Sequence, residues 1–170
     1  MKDIIIFGRS PFINKINLDK IDYDKFDICC INYPIYDIKV HYLVSADSWT
    51  KPILAPKTEW VSKNTGWEII STDAIITQEK KLSWRAYSSS LAVNFAILRG
   101  YKNIYLAGID LMDINYKHYD DDSVYIKDKD SYRIEKDYIK TLRDYYKVNV
   151  YQLNKEANWL EYKDINICYD

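Results

Sequence analysis

Two apolar runs of strand length, Asp3-Ile4-Ile5-Ile6-Phe7 and Asn103-Ile104-Tyr105-Leu106-Ala107, each stop at a glycine, Gly8 and Gly108. Short continuous apolar runs are how strands buried on both faces read, and such strands belong to parallel sheets with covered faces. A glycine at the carboxyl end lets the chain reverse and lets a ligand approach the bare backbone. Further strands are predicted from Phe26 to Ile31, ending at Asn32, from Val40 to Val44, ending at Ser45-Ala46-Asp47, and over Val148-Asn149-Val150-Tyr151. Between them, Ser88-Ser89-Ser90 reads as an N-cap cluster for a buried helix carrying Leu91, Val93, Phe95 and Leu98, stopped by Gly100. A second helix is predicted from Tyr132 to Tyr146, with Ile134, Tyr138, Ile139 and Leu142 on one face, and Pro11 to Asn17 has room for a short one.

Strands alternating with helices imply right-handed crossovers. The predicted fold is α/β: a single Rossmann-like domain over residues 1–170, with a mainly parallel twisted sheet and helices on both faces. At 170 residues and 48% hydrophobic, the chain can bury one sizeable core. Thr50 to Lys81, with Pro52 and Pro56, fits the alternation least and reads as a short strand plus an irregular excursion.

Charge narrows the partners. With 24 basic and 25 acidic residues the chain has no field that would draw nucleic acid or an anionic membrane. No apolar run is long enough for a membrane span or a signal peptide, so a cytoplasmic protein is expected. Cys29, Cys30 and Cys168 form no C-x-x-C pair and are expected to be reduced.

In an open α/β sheet the carboxyl ends of the strands share one edge, where ligands bind. Here that edge would gather Gly8, Arg9 and Ser10, then Asn32, then the helix start at Ser88 and Ser89, then Gly108 and Asp110, with Arg85 just upstream of the serines. Helix-start amides, hydroxyls and a guanidinium suit a phosphate, Asp110 suits ribose hydroxyls, and Asn32 offers an amide to a base or sugar. The set describes a nucleotide pocket, although the G-x-G-x-x-G dinucleotide signature is absent and the chain has only four glycines. Taken singly, serine clusters mostly cap helices and strand-end aspartates mostly make turns.

Arg85-Ala86-Tyr87-Ser88-Ser89-Ser90, followed by Gly100-Tyr101-Lys102-Asn103-Ile104-Tyr105-Leu106-Ala107-Gly108-Ile109-Asp110, resembles the core of the bacterial family 42 sialyltransferases and related flagellin-glycosylation proteins, in a shortened and divergent form. The resemblance implies a metal-independent glycosyltransferase-like protein whose ligand is a CMP-type nucleotide or nucleotide sugar, with no further cofactor. It places the donor on Arg85, Ser88 and Asp110, with Asn32 after the second strand and Tyr116 near a phosphate-holding tyrosine. Arg9 and Ser10 stand where the family has Asn-Gly. The family's catalytic histidine falls at about 125–128, where this chain has none, and His118 is the substitute: an imidazole with an ordinary pKa of about 6.5 can take a proton from an acceptor hydroxyl. His118 also reads as a solvated loop residue and His41 as a core or edge residue. Asp120-Asp121-Asp122 reads as a solvated acidic run, and no metal is expected.

Two functions follow. The first is transfer of a sugar from a CMP-type donor to a glycan acceptor. The second is a nucleotide-binding or sequestering protein without transferase activity. A homo-oligomer is compatible with either.

Overall fold

The computed structural model describes residues 2–32, 35, 38–45, 59–62, 69–70, 82–83, 87–112, 116–117, 124–125 and 129–169. For 45, 59–62, 69–70, 82–83, 116–117, 124–125 and 129 it describes the backbone alone. Arg85, His118 and Asp120 to Asp122 lie outside the described residues.

Among the described residues, a seven-stranded sheet forms the centre. Its strands are β1 (Asp3–Phe7), β2 (Phe26–Ile31), β3 (Tyr42–Ser45), β4 (Glu59–Ser62), β7 (Asn103–Ala107), β10 (Asn149–Gln152) and β11 (Glu161–Tyr162), in the spatial order β11-β10-β7-β1-β2-β3-β4. Every pairing in it is parallel. The chain lays down β1 to β4 in one direction, returns to place β7 beside β1, and then builds outward the other way. The β1/β7 boundary is therefore the topological switch point, where an open α/β sheet leaves a crevice. Ile4 pairs with Ile104 and Phe7 with Ala107, so Gly8 and Gly108 leave the sheet side by side at that boundary.

The alternation of side chains divides the core between the two faces. Ile4, Ile6, Cys29, Ile31 and Val44 meet the helices α1 (Ser88–Leu98) and α2 (Lys129–Tyr146). Ile5, Phe7, Ile28, Cys30 and Leu43 face Phe12, Ile13, Leu153 and Ile167. Among the described residues, both α-helices thus lie on one face, and the other is covered by short 3-10 helices (Pro11–Lys15 and Leu18–Lys20) and the C-terminal segment. The short helix expected within Pro11 to Asn17 is the 3-10 turn Pro11–Lys15, begun by the Ser10 hydroxyl accepting from the Phe12 amide.

The predicted strands appear within two residues of their expected ends. Glu59–Ser62, inside the stretch read as a short strand plus an irregular excursion, is the edge strand beside β3, and β5 (Ile69–Ile70) pairs in parallel with β6 (Leu82–Ser83). Two helix readings need correction. The N-cap of α1 is Tyr87, so the three serines form the helix's first turn, and Ser90 returns its hydroxyl to the Tyr87 carbonyl. On α2, Ile134 points outward at 53% exposure, and the inward face is Tyr132, Glu135, Tyr138, Ile139 and Leu142. That face follows the three-and-four spacing of a helix, and a polar residue occupies the place where the apolar count looked for Ile134.

The three cysteines are free thiols. Burial pushes the Cys30 thiol up to about 12 and raises Cys29 well above the ordinary thiol value, so both are inert packing groups.

Candidate functional site

A crossover between parallel strands returns along its helix to the amino edge of the sheet, so the helix starts near the carboxyl edge. Gly100 turns α1 into β7 through a short link, so the opposite end of α1, at Ser88, stands at that edge. There the Ser88 hydroxyl donates to Asn32 Oδ1 at 3.1 Å. Asn32 follows β2 in a left-handed conformation (φ 66°), which asparagine tolerates better than most residues, and its amide bonds to the Val44 carbonyl at 2.9 Å.

One strand over, the switch point is built by four residues. The Gly8 amide donates to the Ala107 carbonyl at 2.7 Å and the Ser10 amide to the Gly108 carbonyl at 3.1 Å. Gly108 has φ 67°, a conformation that favours glycine, and a Cβ there would sit 2.6 Å from Ile13 Cδ1. A Cβ on Gly8 would fall on the Gly108 carbonyl oxygen. Gly8 is therefore required by the Gly108 backbone, and Gly108 by its own left-handed conformation and the Ile13 side chain. Beyond them the Ser10 hydroxyl donates to Asp110 Oδ2.

Asp110 is 6% exposed, and its second oxygen, Oδ1, is buried with no hydrogen-bond partner among the described residues. Burial raises its carboxyl above the ordinary range, against the opposing pull of Ser10 and the nearby Asn154. Its backbone is fixed as well: Trp159 Nε1 donates to the Asp110 carbonyl at 2.9 Å, and Gln152 Nε2 to the Ile109 carbonyl at 3.0 Å. Leu111, next in sequence, has φ 49°, so the chain leaves Asp110 through a conformation that leucine seldom adopts. The buried carboxylate is thus held by β1, β7, β10 and the C-terminal segment together. Trp159, Gln152 and Asn154 were not identified from sequence: Gln152 ends β10, one residue past the predicted strand, and Asn154 and Trp159 lie in a segment with no strand or helix periodicity of its own.

The sequence candidates separate accordingly. Gly8, Ser10, Gly108 and Asp110 meet at the switch point, and Asn32 and Ser88 meet one strand away. Arg9, half-buried, lies between Gly8 and Ser10 at the same edge. The Ser89 hydroxyl turns away from that edge and donates to Glu135 of α2. Tyr116 is in a small antiparallel hairpin, β8 (Tyr116–Lys117) with β9 (Val124–Tyr125), where Tyr116 pairs with Tyr125. Outside this edge, His41 is half-buried near the amino end of β3. Its Nδ1 accepts from the Ile28 amide at 3.0 Å and its Nε2 lies 3.6 Å from Asp27, so it reads as structural.

No protein-family model matches the chain, and no curated protein matches it in sequence. Solved structures do match its fold. The sialyltransferase CstII of Campylobacter jejuni in complex with cytidine-5'-monophosphate is similar over 100% of this chain and 88% of that one, at 16% identity and a TM-score of 0.61. The monofunctional alpha-2,3-sialyltransferase Cst-I of the same organism is similar over 100% and 82%, at 17% identity and a TM-score of 0.58. A CstII structure with a trisaccharide acceptor and CMP matches over 99% and 89%, at 16% identity and a TM-score of 0.58. The chain has the fold of these sialyltransferases, as the resemblance in its Arg85 to Asp110 stretch implied.

Proposed function

We propose that the chain binds a CMP-type nucleotide or nucleotide sugar across the carboxyl ends of β1, β2 and β7, and that it transfers the sugar to a hydroxyl of a glycan acceptor. The observation that carries the nucleotide reading is Asp110 Oδ1, a carboxylate oxygen buried at the switch point without a hydrogen-bond partner among the described residues. Leaving such an oxygen unpaired costs about 1–3 kcal/mol, more for a charged group, and a ribose hydroxyl is a donor of the right kind for it. The first-turn amides of α1 suit the phosphate, with Arg85 and Arg9 supplying cationic charge, and Asn32 and Ser88 suit the base or sugar. The solved neighbours that hold CMP support this reading, and the one that holds a trisaccharide acceptor supports the glycan.

In the transfer, an acceptor hydroxyl oxygen attacks the anomeric carbon and the bond from that carbon to the phosphate oxygen breaks. The departing phosphate keeps the electron pair, stabilised by the α1 amides and Arg85. The hydroxyl proton goes to a base, and His118 is assigned that role. No metal is assigned a part. The test is turnover of CMP-sialic acid with a glycan acceptor by the wild type and His118→Ala: a loss of about a hundredfold or more is expected, and unchanged turnover removes His118 from the mechanism.

The competing reading is nucleotide binding without transfer. It is favoured by the absence of any histidine at 125–128, where the resembled family places its base. Binding of CMP together with no turnover of any donor sugar would select it.

A further inference from the structure

Helix α2 turns a carboxyl inward and leaves its apolar neighbour outside. Glu135 is 1% exposed in the seam between α1 and α2, whereas Ile134 is 53% exposed. Burying a carboxyl is costly, and a leucine at 135 would fill the seam without that cost, so stability does not explain the residue. Its contact does. The Ser89 hydroxyl, in the first turn of α1, donates to Glu135 Oε1. The preceding residue, Ser88, donates to Asn32 at the end of β2. Two successive residues therefore anchor the start of α1 in different directions, one to the sheet edge and one to the neighbouring helix. The first bond of the helix ladder is from the Leu91 amide to the Tyr87 carbonyl at 2.8 Å, so the amides of the serine turn are ones the ladder does not use.

We propose that Glu135 is a positioning residue of the nucleotide site. By taking the Ser89 hydroxyl it fixes the height and rotation of the first turn of α1, so that the serine amides face the phosphate. This rests on the nucleotide reading above and gives Ser89 a different part from a direct side-chain contact: its hydroxyl is the handle by which α2 holds the site.

The experiment is calorimetric titration of CMP into the full chain as wild type, Ser89→Ala, Glu135→Gln, Glu135→Leu and the Ser89→Ala/Glu135→Leu double variant. Loss of a hydrogen bond to a charged group predicts about tenfold weaker binding in Ser89→Ala and in Glu135→Leu. The double variant is expected to be no weaker than the worse single one, because both substitutions remove the same bond. Glu135→Gln keeps an acceptor and is expected within about threefold of the wild type. Wild-type affinity in both Ser89→Ala and Glu135→Leu overturns the proposal, whatever happens to their melting temperatures. Should Glu135→Leu fail to fold, Ser89→Ala against Glu135→Gln carries the same contrast. A wild type that binds no CMP would sink the nucleotide reading instead. Amide exchange at Leu91 to Val93 then decides whether Glu135 holds the turn: faster exchange in Ser89→Ala but not in Glu135→Gln supports it, and equal exchange in all three overturns it.

Discussion

Ser10 and Asp110, a hundred residues apart in sequence, share a buried hydrogen bond across the two central strands. It joins the turn after β1 to the turn after β7 at the switch point of the sheet. It satisfies only one oxygen of the carboxylate and leaves Oδ1 buried without a partner among the described residues. A chain optimised for stability alone has little reason to keep that carboxyl charged.

Asp110→Asn is therefore expected to raise the melting temperature at neutral pH while weakening nucleotide binding. The side-chain oxygen still accepts from Ser10, and the cost of a buried charge is gone. The sign follows from the raised carboxyl: the folded state holds this proton more tightly than the unfolded chain, so stability falls as pH rises from the ordinary carboxylate value through the raised one. Melting curves should show the gap between variant and wild type closing as pH falls toward about 4. A variant less stable than the wild type at neutral pH would show the charge to be compensated.

Gly8→Ala should destabilise by about 1–3 kcal/mol or more, because the new Cβ falls on backbone, the Gly108 carbonyl, and not on a side chain that can move aside. Gly108→Ala adds the cost of a left-handed alanine to a clash with Ile13. Urea unfolding of the two variants measures both, and a loss below about 0.5 kcal/mol in either would contradict the close approach of the two turns.

His41 should make the protein acid-sensitive. Its Nδ1 accepts from the Ile28 amide, and burial lowers its pKa below the ordinary value despite Asp27. The folded state therefore excludes a proton that the unfolded chain accepts. The contribution is full above about 6.5 and is lost as pH falls from there through the lowered folded value. His41→Leu should remove that part of the pH slope and cost about 1–3 kcal/mol for the amide left without its acceptor. Denaturant melts between neutral pH and about pH 5 read both effects, and an unchanged slope in the variant would rule out His41 as its source.

The facing of α2 is tested by a pair of substitutions. Ile134→Ser should change stability by less than about 0.5 kcal/mol, whereas Leu142→Ala, in the seam, should cost about 2–5 kcal/mol. Equal losses would mean that Ile134 is covered.

Much of the fold was legible because its central strands are apolar along their whole length: Ile4 to Phe7 and Ile104 to Ala107 read as strands buried on both faces, and they are. The partial exception is β4, where Glu59 and Ser62 bracket Trp60 and Val61 at the edge of the sheet, and an edge strand has less apolar pattern to show. On α2 the apolar count favoured Ile134 over Glu135, since hydropathy alone cannot see that Ser89 supplies a buried partner. At the site, Ser10, Asn32, Ser88, Gly108 and Asp110 were legible because strand ends of a parallel sheet share an edge. Gln152, Asn154 and Trp159 were not: Gln152 reaches the Ile109 carbonyl through the register of β10 against β7, and Asn154 and Trp159 come to Asp110 through the course of the C-terminal segment over that edge. The pairing of Gly8 with Gly108 was hidden for a related reason: a glycine kept for another backbone has the same sequence signature as one kept for a ligand.

The most direct measurement is calorimetric titration of CMP into the wild type, with Asp110→Asn and Ser88→Ala alongside. Binding at the switch point predicts saturable heat with one site per chain, weakened about tenfold or more in Asp110→Asn. No saturable heat from the wild type at millimolar CMP, or equal binding by wild type and Asp110→Asn, would contradict it.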